Sequence, residues 1–454
     1  MADRMTFHVF SEFGWNDGEQ GLWRNERLVP RRTQNELDFW IDIAQTAERG
    51  LFDTIFLADA VGMGGYSADD YRAEVRDARM LLWDPTVLLP ALGKFTEHLG
   101  FVFTSSILQD HPFSFARRAS TLDELTGGRV GWNVVTSYSP NAAHNFGLND
   151  LPPREERYAW AQEYVDATYA LWESSWEEGA IVRDLVTGNY IDPDKVHRVD
   201  ISSPRYRIEG PHLTPPTPQR TPLILQAGAS IPGRAFAARN AEVVFIPRGS
   251  DEQLALDIAD MRRLAGAHGR KPEEIKFTVS AGFIIGGTEQ EARRKADEIY
   301  ESTELQAVLA DFTSYFGIDL QALGMQAPVE QVLELQGESG LSSGLTALVE
   351  KMRAEGKKTV GDMVRERFSD RTIVGGPEQI ADRIQDWHRA GVDGVSVATV
   401  TRPGTLHDFV DQVMPELQRR GIAQREYTPG TLRHKLMGYG DRVPESHPAA
   451  RYRR

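Results

Sequence analysis

The sequence predicts a (β/α)8 barrel. Three observations point there. Eight short apolar runs recur along the chain, segments of helical periodicity separate them, and several runs end in polar residues. The runs are Thr6–Phe10, Thr54–Ala58, Leu99–Thr104, Val130–Thr136, Leu223–Ala227, Glu242–Ile246, Lys276–Ile285 and Gly394–Thr399. They are nearly continuous rather than alternating, which is the pattern of strands buried on both faces of a parallel sheet. Eight such strands alternating with helices fit a closed barrel; an open doubly wound sheet is the other arrangement the pattern allows.

The helices have readable ends. Thr33 with Glu36 forms a capping box ahead of the stripe Leu37, Trp40, Ile41, Ala44 and Ala47. Asp84-Pro85 supplies an N-cap and a first helical residue. A strong helix is expected over Glu155–Trp172, Thr288 with Glu291 repeats the capping box, and Gly376-Pro377 opens a helix with Ile380, Ile384 and Trp387 on one face. Two connections exceed what a simple barrel needs: about 137–222 after the fourth strand and about 286–393 after the seventh. Insertions of that length in a compact domain serve as lids or binding loops. The barrel is expected to occupy 1–424. The basic tail over 425–454 (Arg425, Arg433, His434, Lys435, Arg451, Arg453 and Arg454) reads as a solvated or subunit-contacting arm.

Composition removes whole classes of function. The chain has 454 residues, 41% hydrophobic and 26% charged, enough for a large core. With no cysteine it has no disulfide framework, iron–sulfur cluster or thiol nucleophile. Its net charge of −15 argues against nucleic acid or an anionic membrane as partner. No apolar stretch is long enough to span a bilayer and the N-terminus lacks an apolar signal core, so the cytoplasm is the expected compartment. Walker, dinucleotide-fingerprint, His-Glu-x-x-His and Gly-x-Ser-x-Gly motifs are all missing, and the histidines are scattered, so no metal site is expected.

What remains is a set of polar residues at strand ends, the edge where barrel active sites sit. Asp59 follows the second strand; Thr104, Ser105 and Ser106 close the third; Asn133, Thr136 and Ser137 lie on or after the fourth; Gln226, Gly228 and Ser230 end the fifth. Asp59, Thr104 and Ser105 serve equally well as caps or strand-end turns. Asn133 stands inside an apolar run, and a buried amide needs partners. In Leu223-Ile-Leu-Gln-Ala-Gly-Ala-Ser-Ile-Pro-Gly, small residues precede a helix start, where backbone N–H groups and the helix dipole favour an anion. That is a phosphate cradle, although ordinary capping uses the same residues.

Leu122-Asp-Glu-Leu-Thr-Gly-Gly-Arg-Val-Gly-Trp-Asn-Val-Val-Thr-Ser137 with Asn145-Phe-Gly147 resembles the bacterial-luciferase-like superfamily. Within it, the chain is similar to the branch of nitrilotriacetate, EDTA, dibenzothiophene-sulfone and long-chain-alkane monooxygenases. Thr46–Asp53, Phe56–Asp59, Thr96–Gly100, Ile224–Gly228 and Asp408–Gly421 support the match, which covers nearly the whole chain. The resemblance implies a barrel that uses reduced FMN and O2, with FMNH2 supplied by a separate NAD(P)H-dependent flavin reductase. Carried over by position, it implies flavin contacts at Asp59, Thr104, Tyr158 and the turn Gly228-Ala229-Ser230. Relatives usually carry histidine four residues before that tyrosine; here Arg154 stands there, able to fork onto a phosphate. The turn reads Ala-Gly-Ala-Ser where many relatives have Ala-Gly-Ser-Ser, one hydroxyl fewer.

The same resemblance implies Thr104 and Asn133 as hydrogen-bond donors around the activated oxygen. It also implies a homodimer or homotetramer. The substrate wall is expected from Trp15, Tyr66, Tyr138 and His144, with Trp23 and Trp83 nearby; ordinary packing under loops is an equal account of these aromatics. His111 and His144 read individually as structural histidines. Two other functions stay open on the sequence: an F420-dependent oxidoreductase of the same superfamily, and a non-catalytic ligand-binding barrel.

Overall fold

All eight apolar runs become strands, and they close on themselves. In the computed structural model, which describes residues 4–14, 21–29, 35–63, 71–72, 75–76, 82–303, 308–309, 320, 322–334 and 343–454, the strands in chain order are these: β1 (Thr6–Glu12), β2 (Thr54–Ala58), β3 (Gly100–Ser106), β4 (Val130–Val135), β5 (Ile201–Ser202), β6 (Arg207–Ile208), β7 (Leu223–Gln226), β8 (Val243–Phe245), β9 (Lys276–Ile285), β10 (Thr372–Gly375) and β11 (Gly394–Ala398). The ring runs β9-β11-β1-β2-β3-β4-β7-β8, every pair is parallel, and β8 pairs back onto β9. Closure decides against the open sheet. The short β10 extends the wall beside the far half of β9, with Thr372 opposite Gly282.

The strands are largely apolar because each face meets a core, although Thr6, His8, Thr278 and Ser396 place buried polar groups on one face of β1, β9 and β11. Ile55, Leu57, Phe101, Phe103, Trp132 and Val134 face the surrounding helices. Phe56, Val102, Leu223, Leu225 and Val243 fill the barrel. The helices begin largely where the sequence places them. Asp84 caps Pro85–Phe95, accepting from Thr86 N at 2.8 Å, and Ile380, Ile384 and Trp387 are buried on Pro377–Arg389. Two caps differ. Thr33 lies outside the described residues, and the N-cap of Glu36–Arg49 is Asn35, accepting from Asp38 N at 2.9 Å. Thr288 accepts from Glu291 N at 3.2 Å, but the Glu291 carboxylate reaches Gly287 N rather than closing the box.

The region 137–222 holds the helix Pro140–Asn145, the long helix Arg154–Ser174, a two-stranded ribbon and the β5–β6 pair. The ends of 286–393 supply the barrel helices Glu289–Ser302 and Pro377–Arg389. Between them, Val329, Val332, Val349, Met352, Val360 and Met363 belong to a small separate core.

The C-terminal segment is not a solvated arm. Its helix Leu432–Met437 lies across the N-terminal end of the barrel, with Leu432, Leu436 and Met437 packed under the strands. Arg433 and Glu242 are both fully buried and paired, Nε to Oε1 at 2.7 Å, and Arg433 Nη2 also donates to Pro222 O at 2.9 Å. A guanidinium whose fork is met by a carboxylate and a carbonyl can be interior, so basic composition misleads here. Among the described residues no helix is long and apolar enough to cross a membrane.

Candidate active site

The rim at the C-terminal ends of the strands is built from β2, β3 and β4. Thr104 and Asn133 lie opposite each other in the parallel register, both buried and both on the inward face shared with Val102 and Gly131. Asn133 Nδ2 donates to Thr104 Oγ1 at 3.1 Å. Because that hydroxyl oxygen is already an acceptor, its own proton is directed elsewhere. Asn133 Oδ1 is buried and has no hydrogen-bond partner among the described residues. A buried orphan acceptor costs on the order of 1–3 kcal/mol, so it marks a place prepared for another group.

Asp59 follows β2 at the same rim. Its carboxyl is pushed up to about 6, by burial first and then by the charges of Asp84 and Glu12, with hydrogen bonds from Ala60 N and Gln109 acting the other way. Gln109 ties the rim together: its Oε1 accepts from Ser106 N at 2.5 Å and Ser105 Oγ at 3.2 Å. Ser106 Oγ meets Ser137 Oγ at 2.8 Å. Ser137 has a left-handed backbone, φ 58°, held by a hydrogen bond from the buried Arg157 guanidinium to its carbonyl. Arg157 Nε also donates to Pro152 O at 2.9 Å.

A second group forms beside β7. Gln226 takes the opposite face of its strand from Leu225 and donates from Nε2 to Tyr158 Oη at 3.3 Å, while its Oε1 is buried without a partner among the described residues. Tyr158 also hydrogen-bonds Ser230, and burial raises its pKa, so it is a neutral phenol. Ser230 caps Ile231–Asn240, its Oγ accepting from Gly233 N at 3.3 Å. The turn is tight. A Cβ on Gly228 would stand 2.7 Å from Tyr158 Oη and 2.3 Å from Gln226 Nε2, and one on Gly233 2.7 Å from the same phenol oxygen. Ala229 is exposed. Arg154 is exposed too, one helical turn before Tyr158 and therefore on the same side of its helix.

The four residues expected to form a substrate wall are not gathered by the described structure. Trp15 and Tyr66 lie outside the described residues. Tyr138 is 56% exposed, and His144 is exposed with Nε2 hydrogen-bonded to Asn149 O at 3.1 Å, a local tie. His111 is an N-cap, accepting from Phe113 N at 3.3 Å. Near them the helix Pro140–Asn145 docks on the loop after β2. Asn141 Oδ1 accepts from Met63 N at 2.9 Å, and a Cβ on Gly62 would come within 2.4 Å of Ala142 N. Gln109 and Arg157 escaped the sequence reading because their partners are backbone groups and side chains that only the folded rim assembles.

The sequence profile of the luciferase-like monooxygenases matches residues 5–394. The dimethyl-sulfide monooxygenase of Hyphomicrobium sulfonivorans is 39% identical, over 100% of this chain and 94% of that protein. The long-chain alkane monooxygenase of Geobacillus thermodenitrificans is 38% identical, over 95% of this chain and 94% of its own length. A crystal structure of a riboflavin lyase with modified FMN and riboflavin superposes with a TM-score of 0.86 at 34% identity, covering 99% of this chain and 100% of that one.

Proposed function

The chain belongs to the luciferase-like monooxygenase family, and from that premise we propose that it inserts one oxygen atom into a small apolar or heteroatom-containing molecule by way of the Thr104–Asn133 pair. The enzyme is a flavin-dependent monooxygenase that uses FMNH2 and O2. FMN reduced by a separate NAD(P)H-dependent reductase supplies the electrons that activate dioxygen. The observation that carries the site assignment is the inward-facing amide of Asn133, with one end spent on orienting Thr104 and the other end unpaired among the described residues.

The residues present fit the cofactor. Two buried amide oxygens, Asn133 Oδ1 and Gln226 Oε1, await donors, and the turn at Gly228 and Gly233 has no room for a Cβ beside Tyr158. In this reading Gly228, Ala229, Ser230 and the helix N-terminus behind them hold the phosphate. Tyr158 donates to it as a neutral phenol, and Arg154 supplies the positive charge. Asp59, ionised above about pH 6, would accept a hydrogen bond from the bound cofactor. Thr104 would offer its hydroxyl proton to the oxygen that the reduced cofactor activates, with Asn133 holding that hydroxyl in place. The helix Pro140–Asn145 of the first insertion, docked on the loop after β2, helps to exclude water from the rim, and the exposed Tyr138 and His144 lie beside it. The protein assembles as a homodimer or homotetramer and works in the cytoplasm.

Two relatives act, by name, on dimethyl sulfide and long-chain alkanes, and low polarity is the property those substrates share. The test supplies FMN, a generic flavin reductase, NADH and ¹⁸O2, and screens sulfides, sulfones, amines, aminopolycarboxylates and alkanes by mass spectrometry. One class gains a single ¹⁸O atom. With that substrate, Asn133→Ala oxidises about 10²-fold more slowly, the scale on which a positioned donor acts. Undiminished turnover would remove the pair from the chemistry, and no ¹⁸O gain in any class would overturn oxygen insertion.

A further inference from the structure

A cavity of about 550 Å³ lies at the N-terminal ends of the barrel strands, opposite the flavin rim. Thr6, Lys276 and Asp393 in its wall stand at or just before the starts of β1, β9 and β11. A space of that size suits a small organic molecule. The chain carries a net charge of −15, yet this wall is cationic. It holds Arg4, Arg262, Lys276 and Lys435 against two carboxylates, Asp393 and Glu273. Glu273 is exposed to water, and the Asp393 carboxylate accepts from Phe277 N at 2.9 Å.

Two of the four cations are already engaged. Arg4 forks onto Asp53 at 2.8 and 3.2 Å, and Lys435 Nζ donates to His98 O at 2.9 Å. The other two are not. Lys276 is half-buried, in register with the inward Val243, and meets no hydrogen-bond or carboxylate partner among the described residues. Arg262 stays 3.7 Å from Asp393, beyond hydrogen-bond reach, and its Nε is buried without a partner among the described residues. The barrel wall behind them is polar as well. Gly394 registers between Thr6 and Thr278, and a Cβ there would stand 2.4 Å from Thr6 Oγ1 and 2.8 Å from Thr278 Oγ1. Thr278 is 1% exposed, and its hydroxyl also lacks a partner among the described residues. An unmet buried donor is costly, so these groups are set for an acceptor.

We propose that this floor binds a small organic anion that presents a phosphate or carboxylate group to Lys276 and Arg262. An oxyanion supplies the acceptors those two donors lack, and its charge offsets the local excess of positive charge. Ile275, Leu436 and Met437 in the same wall give its organic body an apolar seat. The bound anion joins β9 to the helix Asp251–Ala267 and lies against the C-terminal helix Leu432–Met437. The reacting rim is at the other end of the strands, so the anion acts as a stabilising effector and not as a substrate. The site is independent of the flavin chemistry proposed above.

Isothermal titration calorimetry of the full chain at fixed ionic strength tests it, with FMN in excess so that the phosphate cradle at the rim is filled. The three probes share one ring: phenyl phosphate, benzoate and neutral benzyl alcohol. At least one of the anions binds the wild type and benzyl alcohol does not; the tighter anion identifies the head group. Lys276→Gln weakens that anion by about tenfold, the scale of one charge-assisted hydrogen bond, and Lys276→Arg recovers most of the loss. Arg262→Gln weakens it as well. These variants keep the circular dichroism and FMN affinity of the wild type. Binding of neither anion overturns the proposal, as does equal affinity in wild type, Lys276→Gln and Arg262→Gln. Benzyl alcohol binding as tightly as the anions also overturns it. Failure of oxygen insertion leaves these affinities unchanged, so the two readings fail separately.

Discussion

Asp59 is held where its charge is disfavoured, by burial and by the nearby carboxylates of Asp84 and Glu12. Its folded pKa of about 6 stands above the ordinary 3.8, so the folded state keeps a proton that the unfolded state has released. The associated stability is complete below the lower value and is lost as pH rises through the upper one. Asp59→Asn removes the titration. Its Tm relative to wild type should climb between about pH 4 and pH 6 and then level off; a difference flat with pH would show that Asp59 is unperturbed. Asn133 stood out in the sequence because a primary amide inside an apolar strand must find partners. Gln109 and Arg157 gave no such signal. Their importance lies in Ser106 N, Ser105 Oγ and two carbonyls that come within reach only after folding.

At the scale of elements, the cradle is one turn fitted against one helix. The small residues and helix start at 226–233 were readable as an anion site, but its depth is set by Tyr158, almost seventy positions earlier, as the Gln226 contact shows. Gly233→Ala should therefore act sterically, because its Cβ would stand 2.7 Å from Tyr158 Oη. The expected result is FMN binding weaker by about tenfold, roughly 1.4 kcal/mol, in a titration of FMN fluorescence, with Tm little changed. In a Tyr158→Phe background, which lacks both the clashing atom and the phenol's own phosphate contact, Gly233→Ala should weaken binding by less than it does in the wild type. An equal loss in both backgrounds would mean that the glycine serves something other than this contact. The first helix shows how local rules can miss by a position or two: Asn35, not Thr33, is the cap, and Asn is the stronger N-cap type of the two.

Across the whole molecule, the barrel floor depends on the last thirty residues. Glu242 is fully buried, yet its carboxyl is held down to about 2. Burial opposes that shift and is outweighed by the charge and hydrogen bonds of Arg433, with Tyr439 donating to the same carboxylate. Arg433→Met leaves that charge unpaired and should cost about 3–5 kcal/mol, seen as a lower urea midpoint at unchanged slope. Glu242→Gln added to it should recover part of the loss. A stability change below about 1 kcal/mol, the surface-pair scale, would show that the ion pair is not the tie.

Local patterning by itself determined the eight strands, their parallel pairing and the rim where polar residues collect, because burial on both faces forces continuous apolar runs and strand ends force polar ones. It also carried the family motif around Asn133. Tertiary structure alone decided that the ring closes, that Arg433 and Lys435 of the basic tail are buried, and that the Thr104–Asn133 pair leaves one acceptor unpaired among the described residues. Each of those depends on which distant group arrives to satisfy a charge or a hydrogen bond, and composition does not record a partner's position.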